Sequence, residues 1–340
     1  MQAVEYVKPV TLNLKTLPEP EPSPDEVCVQ VAFAGICGTD LHIIKGEAPA
    51  AERVVLGHEF SGILRSVGSA VRHVSVNDAV AVDPNNYCGH CEPCRKGQVH
   101  FCRHISPVGI YRNGAWAEYC VVPAEQVYPL RSKDDLIHGA LAEPLSCILH
   151  GWDRLQPLHQ EQSVCILGAG LIGLLWALLL RGKGFSRIIL SEISTHRLER
   201  ARRIGFSTES PESVSAGIAN GNRFDSVIDC SGNPGAIETA ADWLNPMGRL
   251  LLFGICPEDT TIRINPFRVF QKELTILGSV INPFTFARAL EALDTITVSM
   301  EDLGVAFYPL EQFREAIDAA ESGRFTKVIF KVMLFLSRRH

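Results

Sequence analysis

Four cysteines lie close together in the run NNYCGHCEPCRKGQVHFC. They are Cys88, Cys91, Cys94 and Cys102, with the spacing C-x2-C-x2-C-x7-C. Two-residue spacers let a tight loop direct several sulfurs to one point, and four thiolates suit a tetrahedral zinc ion. This set leaves no coordination position open. We therefore expect a structural zinc site whose metal affinity contributes to folding.

Two other kinds of cysteine site fit this loop less well. A thioredoxin-type redox motif uses a single C-x-x-C at the start of a helix, whereas here four cysteines lie among Gly, His, Pro and Lys. An iron–sulfur cluster is the stronger alternative, because its ligand spacings are similar. The sequence favours zinc and leaves the cluster as the alternative.

Further potential metal ligands lie in three other segments. GICGTDLH contains Cys37, LGHEFSG contains His58 and Glu59, and AEPLSC contains Glu143. One thiolate, one imidazole and one or two carboxylates from separate loops suit a catalytic zinc site that keeps a water in its open position. Whether these loops converge stays open at this point, because each residue type also occurs in structural positions.

The hexamer GAGLIG, residues 168–173, matches the dinucleotide-binding pattern G-x-G-x-x-G. It follows the apolar strand SVCIL and opens an apolar helical run, which is the context that this pattern requires. The first glycine permits a tight turn, the second lets the backbone approach a pyrophosphate, and the third allows close helix–strand packing. The helix N-terminus then faces the phosphate charge. We expect the dinucleotide to contact Gly168, Gly170, Leu171, Ile172 and Gly173.

A carboxylate follows the glycine loop at the end of the next predicted strand. It is Glu192, in the run LSEIS. A carboxylate at this position accepts hydrogen bonds from the adenosine ribose diol and repels a 2′-phosphate, which favours NAD over NADP. Arg197 follows shortly afterwards and could soften that preference, so we include it among the predicted cofactor contacts. The alternative is an ordinary turn with a solvated glutamate.

Short β-type runs, punctuated by Gly and Pro, dominate the first third of the chain and predict an irregular β-rich domain. The clearest are Glu26–Ala34, Ser61–Val67, Ala79–Asp83 and Glu118–Pro123. Near residue 160 the pattern changes to strands that alternate with helices, which predicts a parallel sheet covered on both faces. The predicted strands are Ser163–Leu167, Arg187–Leu190, Ser226–Asp229 and Arg249–Phe253, and the predicted helices are Leu174–Arg181, Thr195–Ile204 and Pro234–Leu244.

Composition excludes several classes of protein. The chain has 340 residues, 46% of them hydrophobic and 21% charged, and a net charge of -6 without a basic block, so a nucleic-acid partner is not expected. We find neither a signal-peptide pattern nor an apolar run long enough to span a membrane. The sequence therefore predicts a cytoplasmic protein with no membrane association, whose cysteines are thiols or metal ligands.

The motifs GICGTDLH, GHEFSG, the four-cysteine loop, AEPLSC and GAGLIG occur in the order typical of zinc-dependent medium-chain dehydrogenases. The chain resembles this superfamily from Val4 to about Val332. Within the superfamily it is most similar to the polyol branch, which contains sorbitol, xylitol and arabitol dehydrogenases. The resemblance implies a zinc- and NAD-dependent enzyme that oxidises a secondary alcohol of a polyol or sugar alcohol to a ketose.

The resemblance also assigns roles to single residues. It implies that Cys37 and His58 bind the catalytic zinc, and that Glu59 coordinates the zinc as in sorbitol-dehydrogenase-like members. Glu143 replaces a cysteine ligand of simple alcohol dehydrogenases, and either binds the zinc or hydrogen-bonds the zinc-bound water. Thr39 and His42 match the hydroxyl and imidazole of the proton relay.

Two departures from the polyol pattern make sorbitol itself a doubtful substrate. Ile43 and Ile44 follow the relay histidine, where sorbitol dehydrogenases carry a tyrosine, and the segment GSVINP lacks an arginine. The segment YRN, residues 111–113, either lines the substrate pocket or forms a hairpin tip. If Arg112 faces the pocket, a phosphorylated polyol becomes a candidate substrate.

The implied fold is α/β, with a GroES-like β-rich catalytic domain and a Rossmann doubly wound parallel-sheet domain that binds NAD. We assign residues 1–150, completed by 282–340, to the first and 151–281 to the second, with the active site in the cleft between them. A homodimer or homotetramer is expected from the resemblance. Two alternative functions stay open: a threonine-dehydrogenase-like amino-alcohol dehydrogenase, and a zinc-stabilised NAD-binding protein without turnover.

Overall fold

The computed structural model describes residues 1–333 and divides into two compact units. Unit 1 comprises Met1–Ser146, Asn282–Leu293 and residues 305–333, and unit 2 comprises Cys147–Ile281 and Asp294–Gly304. The predicted catalytic domain also included residues 334–340, which lie outside the described residues. No helix within residues 1–333 combines the length and the apolar composition that crossing a lipid bilayer requires.

The strands of the described chain are short. They are β1 (Gln2–Val7), β2 (Thr11–Thr16), β3 (Glu26–Ile36), β4 (Arg53–Val55), β5 (Phe60–Val67), β6 (Ala79–Val82), β7 (Tyr119–Pro123), β8 (Val127–Pro129), β9 (Val164–Leu167), β10 (Ile188–Ser191), β11 (Ser207–Glu209), β12 (Phe224–Asp229), β13 (Leu244–Leu252), β14 (Thr275–Gly278), β15 (Val305–Tyr308) and β16 (Lys327–Lys331).

The α-helices are more numerous in the second half of the chain. They are α1 (Gly38–Ile44), α2 (Glu92–Arg95), α3 (Leu136–Gly139), α4 (Ala142–Leu155), α5 (Leu171–Gly182), α6 (Thr195–Arg203), α7 (Pro211–Ala219), α8 (Pro234–Asp242), α9 (Pro266–Lys272), α10 (Phe286–Leu293), α11 (Met300–Leu303) and α12 (Phe313–Glu321).

Unit 1 is built on two sheets. A three-stranded antiparallel sheet has the order β2-β1-β4, and a larger sheet has the order β15-β16-β3-β5-β6-β8, with β7 also paired to β3. The side chains of β3 are almost all buried because the strand is central, and its neighbours pack into one apolar core with Trp116 and Phe330. The C-terminal strand β16 pairs with β3 in antiparallel register, so the end of the chain completes the unit that the N-terminus begins.

Unit 2 is a six-stranded parallel sheet in the order β11-β10-β9-β12-β13-β14. The order reverses at β9, and the carboxyl ends of the strands beside such a reversal form the usual ligand-binding edge of a doubly wound sheet. The wholly buried strand VCIL of β9 and the buried helix α5 are typical of a sheet covered on both faces.

The predicted fold class, a GroES-like β-rich domain and a Rossmann-type parallel sheet, is confirmed. Several segments carry more regular structure than the sequence predicted. The short helix α1 follows β3 directly, α4 begins at AEPLSC, and β11 and α7 fill the interval between α6 and β12. The elements α1 and β11 are too short to show a clear hydrophobic period, whereas α4 is long and amphipathic and has a pattern that the sequence prediction did not use.

Candidate metal and dinucleotide sites

The four cysteines of the loop converge in space. The Sγ atoms all lie within 4.8 Å of one another; they belong to Cys88, Cys91, Cys94 and Cys102. The backbone N–H of Cys88 donates to Sγ of Cys102 and that of Cys91 donates to Sγ of Cys88, each at 3.4 Å. Such N–H donors stabilise thiolates, and the four sulfurs form a closed donor set that suits a structural zinc ion.

The thiols of this cluster do not ionise alike. A hydrogen bond from the backbone of Cys94 is the main cause that lowers the pKa of Cys91 to about 6. Desolvation is the main cause that raises the pKa of Cys94 to about 12. Four thiolates at this separation repel one another, so a cation must balance their charge if all of them are to ionise.

A second group of potential ligands lies in unit 1. Single donor atoms of Cys37, His58 and Glu59 lie within 4.8 Å of one another, and the last two side chains are buried. Cys37 caps the N-terminus of α1 directly after β3, and His58 and Glu59 directly precede β5, the strand paired with β3. Neighbouring strands thus bring the two motifs together. One thiolate, one imidazole and one carboxylate are donors that fit zinc, so the residues suit the metal.

Asp40 contacts both Cys37 and His58. Its Oδ2 accepts a hydrogen bond from the backbone N–H of Cys37 at 2.8 Å, and its Oδ1 lies 3.3 Å from Nδ1 of His58. Burial opposes protonation of His58, but the negative charges of Asp40 and Cys37 outweigh it and raise the pKa of His58 well above its usual range. The same negative charges attract a metal cation to this place.

Glu59 also has a cationic partner. Its Oε2 is in direct contact with Nζ of Lys327, and the two side chains are 2% and 6% exposed. Burial opposes the charge on Lys327, yet Glu59, Cys37 and Asp40 together raise its pKa above the ordinary value. No sequence motif predicted Lys327 as part of this site, because nothing in the local run TKVIFK connects its first lysine with a motif near residue 59.

The other predicted residues of this site are not among the three grouped metal donors. Glu143 is buried in the first turn of α4 but is not one of the three residues whose donor atoms lie within 4.8 Å. The Oγ1 of Thr39 lies 3.8 Å from Sγ of Cys37. The Nδ1 of His42 lies 2.6 Å from Oε2 of Glu47, and both side chains are partly exposed, so His42 has contact with water.

The segment near Arg112 is used for packing. The Arg112 guanidinium forms an ion pair with Glu26 at 2.5 Å, and Oδ1 of Asn113 accepts a hydrogen bond from the backbone N–H of Val55 at 3.0 Å. Two of the three residues of YRN, Arg112 and Asn113, thus contact other parts of unit 1. The side chain of Ile43, which replaces the expected tyrosine, is completely buried in the core of unit 1.

The glycine loop of unit 2 has the geometry that its sequence requires. Gly168 has φ of +100°, a left-handed conformation that glycine adopts without a steric penalty. A Cβ at Gly173 would lie 1.9 Å from the carbonyl oxygen of Gly168, so only glycine allows α5 to pack this closely on the loop. At Gly170 a Cβ would meet only Arg197, at 4.0 Å, which leaves open space beside the backbone. Leu171 and Ile172 begin helix α5 directly after this position.

Glu192 is buried at the end of β10 beside this loop. One carboxylate oxygen accepts the backbone N–H of Ala169 at 2.9 Å, and the other accepts those of Ile193 and Ser194 at 2.9 and 3.0 Å. The Nη1 of Arg197 lies 3.6 Å from Oε2 of Glu192. The predicted cofactor residues therefore converge at one edge of the parallel sheet.

Sequence comparison identifies the family. The alcohol dehydrogenase GroES-like domain matches residues 23–132 and the zinc-binding dehydrogenase domain matches residues 172–297. D-arabinitol dehydrogenase 1 of Uromyces fabae is 30% identical over 341 residues, which cover 97% of both chains. The chain belongs to the zinc-dependent medium-chain dehydrogenases. The predicted superfamily, the enzyme class and the use of zinc and a nicotinamide dinucleotide are thereby confirmed.

Two further medium-chain dehydrogenases show how wide this likeness is. An L-threonine 3-dehydrogenase of Saccharopolyspora erythraea is 33% identical and covers 97% of this chain and 98% of the relative. The crystal structure of a zinc-binding dehydrogenase of Sinorhizobium meliloti 1021 bound to NADP has a TM-score of 0.92 and 34% identity, with 97% and 98% of the two chains covered. Relatives that act on a polyol and on an amino alcohol thus lie at similar distances from this chain.

Proposed function

We propose that this medium-chain dehydrogenase oxidises a secondary alcohol of a polyol or sugar alcohol to a ketose, with zinc and NAD. The observation that carries the proposal is the convergence of the Cys37 thiol, the His58 imidazole and the Glu59 carboxylate, the last two of which are buried. The carboxylate at Glu143, in place of a thiolate, and the likeness to an arabinitol dehydrogenase favour a polyol over a simple alcohol. A phosphorylated polyol is less well supported, because Glu26 already holds the Arg112 guanidinium.

Cys37 and His58 would hold the catalytic zinc, with Glu59 and Glu143 as the carboxylates near it. When bound, zinc supplies a Lewis acid that lowers the pKa of an alcohol oxygen, and the nicotinamide accepts the hydride. Asp40 keeps the Nδ1 of His58 occupied, which leaves Nε2 as the nitrogen for the metal. In the other metal site, Cys88, Cys91, Cys94 and Cys102 would hold the structural zinc.

Thr39 and His42 would carry the alcohol proton away from the site. Thr39 lies beside Cys37, and His42 is one helical turn further along α1 with its ring in contact with Glu47 and water. An imidazole at the solvent boundary can pass a proton to water and therefore suits the last step of a proton relay.

We further propose that NAD is the preferred cofactor. Gly168, Gly170, Leu171, Ile172 and Gly173 would contact the pyrophosphate, and Glu192 and Arg197 would face the adenosine ribose. A carboxylate that accepts three backbone N–H groups is fixed in place beside the glycine loop, where it would repel a 2′-phosphate. Because one structural relative binds NADP, the choice between the two cofactors has to be measured in this protein. Glu192→Ala should lower kcat/KM for NAD about tenfold and raise the ratio of NADP-dependent to NAD-dependent activity. A ratio unchanged by Glu192→Ala would contradict this preference.

A threonine-dehydrogenase-like activity is the second candidate, because an L-threonine 3-dehydrogenase is 33% identical over nearly the whole chain. A protein that binds zinc and NAD without turnover is the third. The convergence of Cys37, His58 and Glu59 favours an enzyme, since a purely structural role does not require these three donors together.

We also propose a homodimer or homotetramer. Strand β14 is an edge of the parallel sheet, and Ile276 on it is 37% exposed. Phe267 and Phe270 on helix α9 are 63% and 79% exposed. An exposed edge strand with apolar side chains nearby suits pairing with a second copy, which light scattering of the purified protein would detect. A cytoplasmic location is proposed because the eleven cysteines, four of them within one loop, suit thiols and metal ligands in a reducing compartment.

The test of function is a substrate panel that measures NADH formation. The purified enzyme is assayed with polyols, polyol phosphates, threonine and simple alcohols, in the presence and absence of a zinc chelator. Chelator-sensitive turnover of one polyol supports the proposal, and turnover of threonine alone supports the second candidate. His58→Ala should abolish turnover while leaving NADH binding intact; turnover that survives this substitution would refute the metal-site assignment.

A further inference from the structure

Glu59 and Lys327 form a buried ion pair inside unit 1. Lys327 is the first residue of β16, and Glu59 directly precedes β5, so both side chains start from strands of the same sheet. A Cβ at Gly35 would lie 2.4 Å from Oε2 of Glu59 and 2.9 Å from Cε of Lys327. The pair therefore fills a space that exists only because residue 35 is glycine, and the ammonium has little freedom to leave the carboxylate.

Lys327 also changes the charge balance of the metal site. Cys37 brings one thiolate and the buried Asp40 and Glu59 bring two carboxylates close to Lys327, and the charge of each acts on Lys327. A divalent metal ion and one ammonium together balance three negative charges. Without the ammonium, the carboxylate of Glu59 would turn to the metal as its remaining cationic partner, because an unpaired buried charge is costly.

We propose that Lys327 is a positioning residue that holds the Glu59 carboxylate beside the metal and prevents it from becoming a permanent ligand. This inference rests on the proposed metal role of Cys37 and His58. A carboxylate shared with an ammonium is a weaker donor, since part of its charge is already neutralised in a medium of low dielectric constant. A catalytic zinc must keep a position open for substrate. Lys327 thus keeps that position open.

Cobalt substitution tests the proposal without relying on turnover, because the visible spectrum of bound Co²⁺ reports the number and type of its ligands. The spectra to compare are those of the wild type, Glu59→Gln, Lys327→Met and the double variant. Glu59→Gln should leave the wild-type spectrum unchanged, because Lys327 already holds this carboxylate away. Lys327→Met should shift the spectrum towards higher coordination, and adding Glu59→Gln should reverse that shift. Cobalt in the cysteine cluster contributes equally to all four proteins.

Two control variants separate positioning from folding. Lys327→Arg keeps the cation and should keep the wild-type spectrum. Lys331→Met removes an exposed lysine from the same strand and should change nothing. A second measurement is the rate at which a chelator removes the metal. It should be about tenfold slower in Lys327→Met and return to the wild-type value in the double variant.

Identical cobalt spectra in the wild type and in Lys327→Met would overturn the proposal. A difference between the cobalt spectra of the wild type and Glu59→Gln would also overturn it. If Lys327→Met does not fold, the comparison of these two spectra tests the proposal by itself. Failure of the folded wild type to bind cobalt through Cys37 and His58 is a distinct result, which would overturn the metal site and this inference together.

Discussion

Nδ1 of His58 lies 3.3 Å from Oδ1 of Asp40, and both side chains are buried. The other carboxylate oxygen of Asp40 accepts the backbone N–H of Cys37. One side chain thus fixes the positions of two residues that lie on different segments of the chain. A metal ligand whose second ring nitrogen is held in this way keeps one tautomer and one orientation.

Asp40→Asn should weaken zinc binding at this site by about 10- to 100-fold, since the neutral amide no longer fixes the imidazole tautomer. The measurement is competition with a chromogenic chelator, followed by zinc content per chain. Asp78→Asn is the matched control, because Asp78 accepts the backbone N–H of Ser75 at 2.8 Å, as Asp40 does for Cys37, but away from the metal group. Equal zinc affinity in both variants would contradict the orienting role.

Two glycines of the dinucleotide loop should respond differently to alanine. Gly173→Ala forces a Cβ against the carbonyl oxygen of Gly168 and should lower both the melting temperature and NADH affinity, the latter by roughly tenfold or more. Gly170→Ala adds a Cβ in open space, so it should leave the melting temperature unchanged and weaken only NADH binding.

Calorimetry and fluorescence titration separate these two effects. Gly235→Ala provides the control, since its Cβ would meet only Oδ1 of Asn233 at 3.4 Å, and should change neither quantity. If Gly170→Ala bound NADH as tightly as the wild type, the pyrophosphate would not lie against this backbone.

Asp83 gives the stability of the protein a specific pH dependence. Desolvation by burial raises the pKa of Asp83 from 3.8 to about 6, although hydrogen bonds from Asn85 and Asn282 act to lower it. Between about pH 4 and 6 the folded state therefore binds the proton more tightly than the unfolded state does, and this contribution to the free energy of unfolding falls as the pH rises.

Asp83→Asn should remove this contribution, because a neutral amide keeps an oxygen for the backbone N–H of Asn85. The variant should gain on the order of 1–3 kcal/mol over the wild type at pH 8 and show no gain at pH 4. Urea unfolding at both pH values measures the difference, with the exposed Asp318→Asn as control. A constant difference between the two pH values would show that Asp83 does not titrate in this range.

The metal of the cysteine cluster should be needed for folding and should be zinc. Cys91→Ser should lose one zinc per chain and melt at a lower temperature, since the affinity of a structural metal is part of the folding free energy. Metal analysis and calorimetry measure both effects. Cys256→Ser is the control, because its sulfur lies outside the cluster and contacts the carbonyl of Gly232 at 3.1 Å. Iron together with a broad visible absorbance would establish the iron–sulfur alternative.

Sequence motifs predicted those parts of the sites whose residues are neighbours in the chain. The four cysteines lie in one loop, and the six residues of GAGLIG form one turn, so their spacing already limits their geometry. The alternation of strands and helices likewise predicted the parallel sheet, because hydrophobic periodicity is a local property.

Only the tertiary structure decided which distant side chains meet. The pairing of β16 with β3 brings Lys327 into contact with Glu59. The packing of unit 1 also places Arg112 in an ion pair with Glu26 and buries the side chain of Ile43. Glu143, for which the resemblance implied either a zinc ligand or a hydrogen bond to the zinc-bound water, is not one of the three residues whose donor atoms lie within 4.8 Å of one another. These outcomes depend on strand register and on the order of strands in the sheet. Both are set by packing over the whole unit, and no short stretch of sequence encodes them.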